Sequence, residues 1–202
     1  MICPIRVVAS SRATSRTTPS EARRLRGVTA VELMVVLAVL AILATVAAPS
    51  FIDLTQRNRV ATEVNGFVGD LQFARAEAIR RGENVTVCAT SATNSAICGG
   101  NNTPWQNGWL IFNNGNAANI TIDAGETVIR KQAKWSGTDT FTEAGGLAAI
   151  TYSRDGFALN LPAPGSATLT LKTSPVNAKA TRCVLVNLAG RQQVLTAGST
   201  CS

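Results

Sequence analysis

Residues 28–48, VTAVELMVVLAVLAILATVAA, form a run of 21 residues with one charged side chain, Glu32. An apolar stretch of about 20 residues, rising ~1.5 Å each as a helix, is long enough to cross the hydrocarbon core of a bilayer. A carboxylate near one end of such a stretch is costly and points to a function. A plain signal anchor with an incidental glutamate is the simpler alternative. A cleaved secretory signal is another, since Ala47-Ala48 ahead of Pro49 weakly resembles a cleavage site, although its apolar core would be shorter. The basic run Arg23-Arg24-Leu25-Arg26-Gly27 lies immediately upstream, and the next basic residue after the stretch is Arg57. That asymmetry puts the N-terminus in the cytoplasm and the bulk of the chain outside.

The 202 residues leave room for one modest domain beyond the apolar stretch. The formal charge of +7 looks like a nucleic-acid signal, but it is unevenly placed. Six of the 19 basic residues and one of the 12 acidic ones precede Val28, leaving 13 against 11, a net of +2. Basicity is mostly a property of the leader, so any basic patch on the body is local.

Pro49 follows the apolar run, and a proline inside a helix removes a hydrogen bond and bends the axis. The helical pattern continues beyond it. Val60, Val64, Phe67, Leu71, Ala74 and Ala78 recur at three- and four-residue steps and form a narrow apolar stripe. Arg57, Arg59, Glu63, Asp70, Gln72 and Arg80 are assigned to the opposite, solvated face. Glu77 and Arg81 are spaced for an ion pair with the acid N-terminal, and Gly82 after Arg80-Arg81 is a C-terminal stop. The expectation is one kinked helix from about Val28 to Arg81, ~80 Å long at the standard rise. Its first half would face lipid or other apolar helices, and its second half would pack one stripe on a domain.

After Gly82 the apolar period switches to two. Strands are expected at 84–88, 108–112, 126–132 and 167–172. A hairpin is expected over 150–159 around Asp155-Gly156, and another over 183–195 around Gly190. The fold class is therefore α+β: a long kinked N-terminal helix followed by an antiparallel β-rich domain. The parts are a leader over 1–27, a helix over 28–82 and a globular domain over 83–202.

Cys3 lies in the leader, whereas Cys88, Cys98, Cys183 and Cys201 fall in the part expected to be exported. An even count in an oxidising compartment reads as two disulfides. Three connectivities are allowed. Cys88–Cys98 with Cys183–Cys201 is favoured, because each closes a hairpin-sized loop at low entropic cost. The chain has no histidine and no C-x-x-C, which removes Ser-His-Asp and Cys-His catalysis and a mixed Cys/His metal site. Phosphate-binding glycine motifs are also missing. The reading is of a non-enzyme without catalytic residues, metal or cofactor. Trp105, Trp109 and Trp135 read as core or loop-anchoring residues rather than as a base-stacking platform.

Gly27 followed by Val28-Thr-Ala-Val-Glu32-Leu-Met-Val-Val-Leu resembles the class III signal of type IV pilins and type II secretion pseudopilins. The resemblance implies a membrane peptidase that cuts after Gly27 on the cytoplasmic side, then N-methylates Val28 and leaves the apolar helix in place. It also implies that Glu32 serves subunit assembly and that Pro49 is the family's helix kink. Two departures are visible: Val28 stands where phenylalanine is usual, and the leader is longer than typical, which leaves the translation start open. The likeness extends to Ala74-Arg-Ala-Glu-Ala-Ile-Arg-Arg-Gly82, to Val85–Cys88, to Gly108-Trp-Leu-Ile-Phe and to the Cys183–Arg191 segment. These resemble the GspH/FimT group of minor pilins.

That group implies a low-copy subunit at or near the tip of a type IV pilus. The alternative is a GspH-like minor pseudopilin of type II secretion. In either case the expected location is the inner membrane, single-pass with the C-terminal domain in the periplasm, and then the filament. A subunit drawn from lipid into a filament would carry Glu32 into an apolar core, where the amine of a neighbour's Val28 is the partner the family offers. Partners implied are other pilins or pseudopilins, the prepilin peptidase, the inner membrane and DNA. Some FimT-type members are linked to DNA capture through a Gly-Arg-x-Arg element. Here the sequence is Gly190-Arg191-Gln192-Gln193, without the second arginine. Arg191 with Lys179 and Arg182 across the last hairpin is the expected phosphate-contacting set, making weak contacts that read no base sequence.

Overall fold

The computed structural model describes residues 27–92, 96–117, 119–196 and 201. The leader up to Arg26, with Cys3, lies outside the described residues. The chain divides into two compact units, one ending at Leu43 and the other running from Ala44 to Ser202. A helix, α1 (Ala30–Arg81), contributes to both.

In the first unit, α1 starts at a sequence-encoded cap. The Thr29 hydroxyl accepts the Glu32 N–H at 3.2 Å, and the Thr29 carbonyl accepts the Leu33 N–H at 3.1 Å. Large apolar residues from Val28 through Leu43 are exposed on every side of the helix, between 48% for Val36 and 72% for Met34. Among the described residues no single helix is long and apolar enough to cross a membrane. Ala30–Thr45 and Ala47–Arg81 meet that requirement only together, as a bent pair. Pro49 lies inside α1 and has no N–H to offer the carbonyl four residues back.

In the second unit the stripe behaves as the periodicity requires. Val60, Val64, Phe67, Leu71, Ala74 and Ala78 are buried. They pack against β1 (Val85–Ala89), β2 (Trp109–Asn113), β4 (Thr140–Glu143), β5 (Ala149–Tyr152), β7 (Ser166–Lys172) and β8 (Arg182–Asn187) in one continuous core. With β3 (Val128–Gln132), β6 (Ala158–Leu159) and β9 (Gln192–Leu195), the strands form two antiparallel sheets of order β3-β2-β1-β5-β6 and β4-β7-β8-β9. The helix ends at Gly82, whose φ of 70° suits a left-handed cap and whose N–H donates to the Ala78 carbonyl.

Phe67 is the hub of the helix face. Trp105, Trp109 and Phe141 surround it edge-on at 4.9 to 5.2 Å between ring centres, which favours each ring's positive edge against a negative face. The first sheet is covered on both sides. On the side away from the main core, Cys88, Leu110, Phe112 and Ala149 make a smaller cluster with Cys98, Ile120 and Ile122 from the loops. The Cys88–Cys98 disulfide ties Cys98 to that cluster, and Cys183 pairs with Cys201.

Two short elements escape the sequence reading. The 3-10 turn Trp105–Asn107 carries the buried Trp105, and β4 is a four-residue strand. In β4 only Phe141 is apolar and buried, so Thr-Phe-Thr-Glu offers too short an alternation to register.

Candidate functional site

The functional features lie along α1, from its first turn to its last. At the start, Gly27 and Val28 precede the helix in open backbone, and nothing lies near the Gly27 Cα. A peptide bond so placed is accessible. Thr29-Ala-Val-Glu32 is one half of a capping box, with the threonine oxygen on the third helical N–H. The Glu32 carboxylate then sits in the first turn, where the helix dipole favours negative charge. It is exposed here, so the cost of a buried carboxylate arises only when other helices cover it.

Further along, polar ties clasp α1 to the β domain. The Asn177 side-chain amide donates to Asp53 at 2.6 Å and to Gln56 at 2.9 Å, and Asp53 also pairs with Arg57. The Asn177 hydrogen bond, with Arg57 and Lys179 nearby, holds the Asp53 carboxyl below its ordinary range. Arg59 grips the buried Asp139 with two bonds of 2.7 Å, and Asp139 also accepts the Ser174 N–H at 3.0 Å. Glu63, one turn on, is half-buried, and one of its carboxylate oxygens is buried without a hydrogen-bond partner. Burial, with Asp139 nearby, pushes its carboxyl up to about 7 against the pull of Arg59.

Asp70, assigned to the solvated face from periodicity, is buried instead. It accepts the Trp109 indole N–H at 2.8 Å and an Arg130 N–H at 2.6 Å, while the Arg130 guanidinium lies 4.1 Å over the Phe73 ring. Position 70 lies three after Phe67 and four before Ala74, hence on the flank of the stripe, and a charge is tolerated there because both partners meet it.

At the C-terminal turns of α1, Arg75 joins two hairpins. Its Nε donates to the Gly156 carbonyl at 2.9 Å and its Nη2 to the Ala189 carbonyl at 3.0 Å. Gly156 closes the β5–β6 turn, and Gly190 closes the β8–β9 turn against it. Next to this junction, the Gln192 amide donates to the Tyr152 hydroxyl at 2.7 Å, and burial raises the Tyr152 phenol to about 12. Glu77 pairs with both Arg80 and Arg81, and those hydrogen bonds lower its carboxyl to about 2.

The three cations expected to meet across the last hairpin do not. Arg182 opens β8 and donates to the carbonyls of Lys179 and Thr181, which keeps those two cations together. Arg191 lies opposite Asn187 at the other end of β8, five residues of strand or ~17 Å away. Antiparallel pairing forces this, because the residue just before β9 must face the end of β8, not its start. Arg191 is exposed and follows Gly190, which packs on Gly156 of the β5–β6 turn. Among the described residues, no group of three or more His, Cys, Asp or Glu side chains is placed to hold a metal ion.

Residues 63–190, more than half of the chain, match the family model described as type II transport protein GspH. No curated protein sequence matches the chain. Two crystal structures of the type IV minor pilin FimU from Pseudomonas aeruginosa strain PAO1 have a similar fold. One is 20% identical with a TM-score of 0.55, covering 74% of this chain and 99% of that one. The other is 21% identical with a TM-score of 0.50, covering 72% and 99%. At this identity the likeness shows the pilin fold: an N-terminal helix followed by antiparallel sheets.

Proposed function

Because the chain belongs to the GspH family, within the type IV pilin superfamily of envelope filament subunits, we propose that it is a low-copy, tip-proximal minor pilin. In this reading α1 first anchors the chain in the inner membrane, with the β domain in the periplasm, and then enters the filament core beside other pilins. Prepilin peptidase would cut between Gly27 and Val28 and methylate the new terminus. The subunit is a non-catalytic assembly part.

One observation carries this reading: a capped helix begins three residues after Gly27 and leaves its large apolar side chains exposed all round. So much apolar surface requires cover by lipid or by other helices. The test is the N-terminus of the protein recovered from native envelopes. An N-methylated Val28 is expected, and a retained leader or a start after Ala48 would overturn the proposal.

The resemblance in fold to FimU supports a pilus. The family's description as a type II transport protein supports a second reading, a minor pseudopilin of type II secretion. Deleting the gene separates them: loss of surface pili with secretion intact supports the first, and the reverse supports the second. Weak, sequence-independent DNA contact belongs to the first reading and would run through Arg191 on the Gly190 turn, apart from Lys179 and Arg182.

A further inference from the structure

We propose that Glu63 is a proton-operated release on the clasp that holds residues 53–63 of α1 to the β domain. The clasp consists of Asn177 on Asp53 and Gln56, Arg59 on Asp139, and the Ser174 N–H on Asp139. The segments it joins are far apart in sequence, so these ties fix where the 173–177 loop and the residues leading into β4 meet the helix.

Glu63 stands one helical turn after Arg59. The charged groups acting on it are Asp139, from the segment entering β4, and Arg59, on its own helix. Arg59 is the cation an ionised Glu63 would use, but its Nε and Nη2 are both committed to Asp139 at 2.7 Å. The unpartnered carboxylate oxygen of Glu63 marks a site suited to the neutral acid. A protonated Glu63 leaves Arg59 and Asp139 as an undisturbed pair. An ionised Glu63 repels Asp139, competes for Arg59 and so weakens the tie that Ser174 shares.

The direction with pH follows from the raised carboxyl. The folded chain keeps a proton that the unfolded chain gives up near the ordinary glutamate value of 4.5. The clasp is therefore at full strength below about 4.5, weakens as pH rises to about 7 and stays weak above it. Acid tightens this junction, the reverse of what an ordinary carboxylate ion pair does.

The test uses the full chain in detergent micelles. Amide hydrogen exchange is measured at Ser174 and Asn177 from pH 4 to 8.5, corrected for the intrinsic pH dependence of exchange, with the Glu63 carboxyl followed by carbon NMR. Protection is expected to fall several-fold as pH rises from about 4.5 and to level off near 7, where the Glu63 carboxyl titrates. It should stay high and flat in Glu63→Gln, which keeps the shape and removes the charge. A flat profile in the unmodified protein, or an unchanged fall in Glu63→Gln, would overturn the proposal. Amides of β1 around Thr86, paired between β2 and β5, serve as an internal reference.

Discussion

Gly190 packs on Gly156 so closely that a side-chain carbon at position 190 would collide with the Gly156 carbonyl oxygen. The same carbonyl accepts a hydrogen bond from Arg75, so helix and two hairpins converge on one peptide group. Gly190 also has a φ of 71°, in the left-handed region. Both constraints demand glycine, which gives the Gly-Arg pair of the last hairpin a packing reason independent of any ligand. Gly190→Ala is expected to cost about 2 kcal/mol or more, read as a lowered denaturation midpoint. Arg75→Ala should cost less, since one of the two carbonyls it leaves, that of Ala189, is exposed.

The Asp70 carboxylate holds Trp109 on β2 and Arg130 on the adjacent β3. Removing it strands the buried indole N–H and frees Arg130 from the Phe73 ring. Asp70→Ala is expected to destabilise by about 2–3 kcal/mol and to change the near-ultraviolet circular dichroism of Trp109. Arg130→Ala should cost less, because Asp70 keeps its bond to Trp109.

Reducing the disulfides should not affect both sheets alike. Cys88 lies fully buried in the smaller core, and its bond holds Cys98 against the cluster of Leu110 and Phe112. Replacing Cys88 and Cys98 together by alanine is expected to cost about 3 kcal/mol, since a short loop is released and a core cluster uncovered. Thermal melts of the two double variants in oxidising buffer would check this, with the Cys183–Cys201 variant losing less.

Any contact with DNA is expected to depend on Arg191. Gel shifts at low ionic strength should weaken in Arg191→Ala and change little in Lys179→Ala or Arg182→Ala, because ~17 Å of strand separates the two sets. Equal losses in all three would mean that a broader surface is used.

Periodicity alone made the buried stripe from Val60 to Ala78 legible, along with every strand except β4. Apolar spacing reports which side of an element faces inward, and the long helix carries six such residues at regular steps. The same rule misplaced Asp70, because a stripe's flank admits a charge when a partner reaches it. Those partners, Trp109 and Arg130, are 39 and 60 residues away, and no local pattern announces them. The Arg59–Asp139 pair spans 80 residues and was equally hidden. Thr29-Ala-Val-Glu32 carries the spacing of a capping box in the sequence itself. The assumed meeting of Lys179, Arg182 and Arg191 failed on strand register, which hairpin length alone could have supplied.

Glu32 links the start of the helix to the proposed assembly, and one measurement tests that link most directly. Wild type, Glu32→Ala and Glu32→Gln are compared for their fraction in sheared filaments, with total membrane levels as the reference. The account predicts that both variants are made and processed normally yet are lost from filaments by tenfold or more, since neither supplies the charge that pairs with a neighbour's amine. Incorporation of Glu32→Gln at the wild-type level would contradict it.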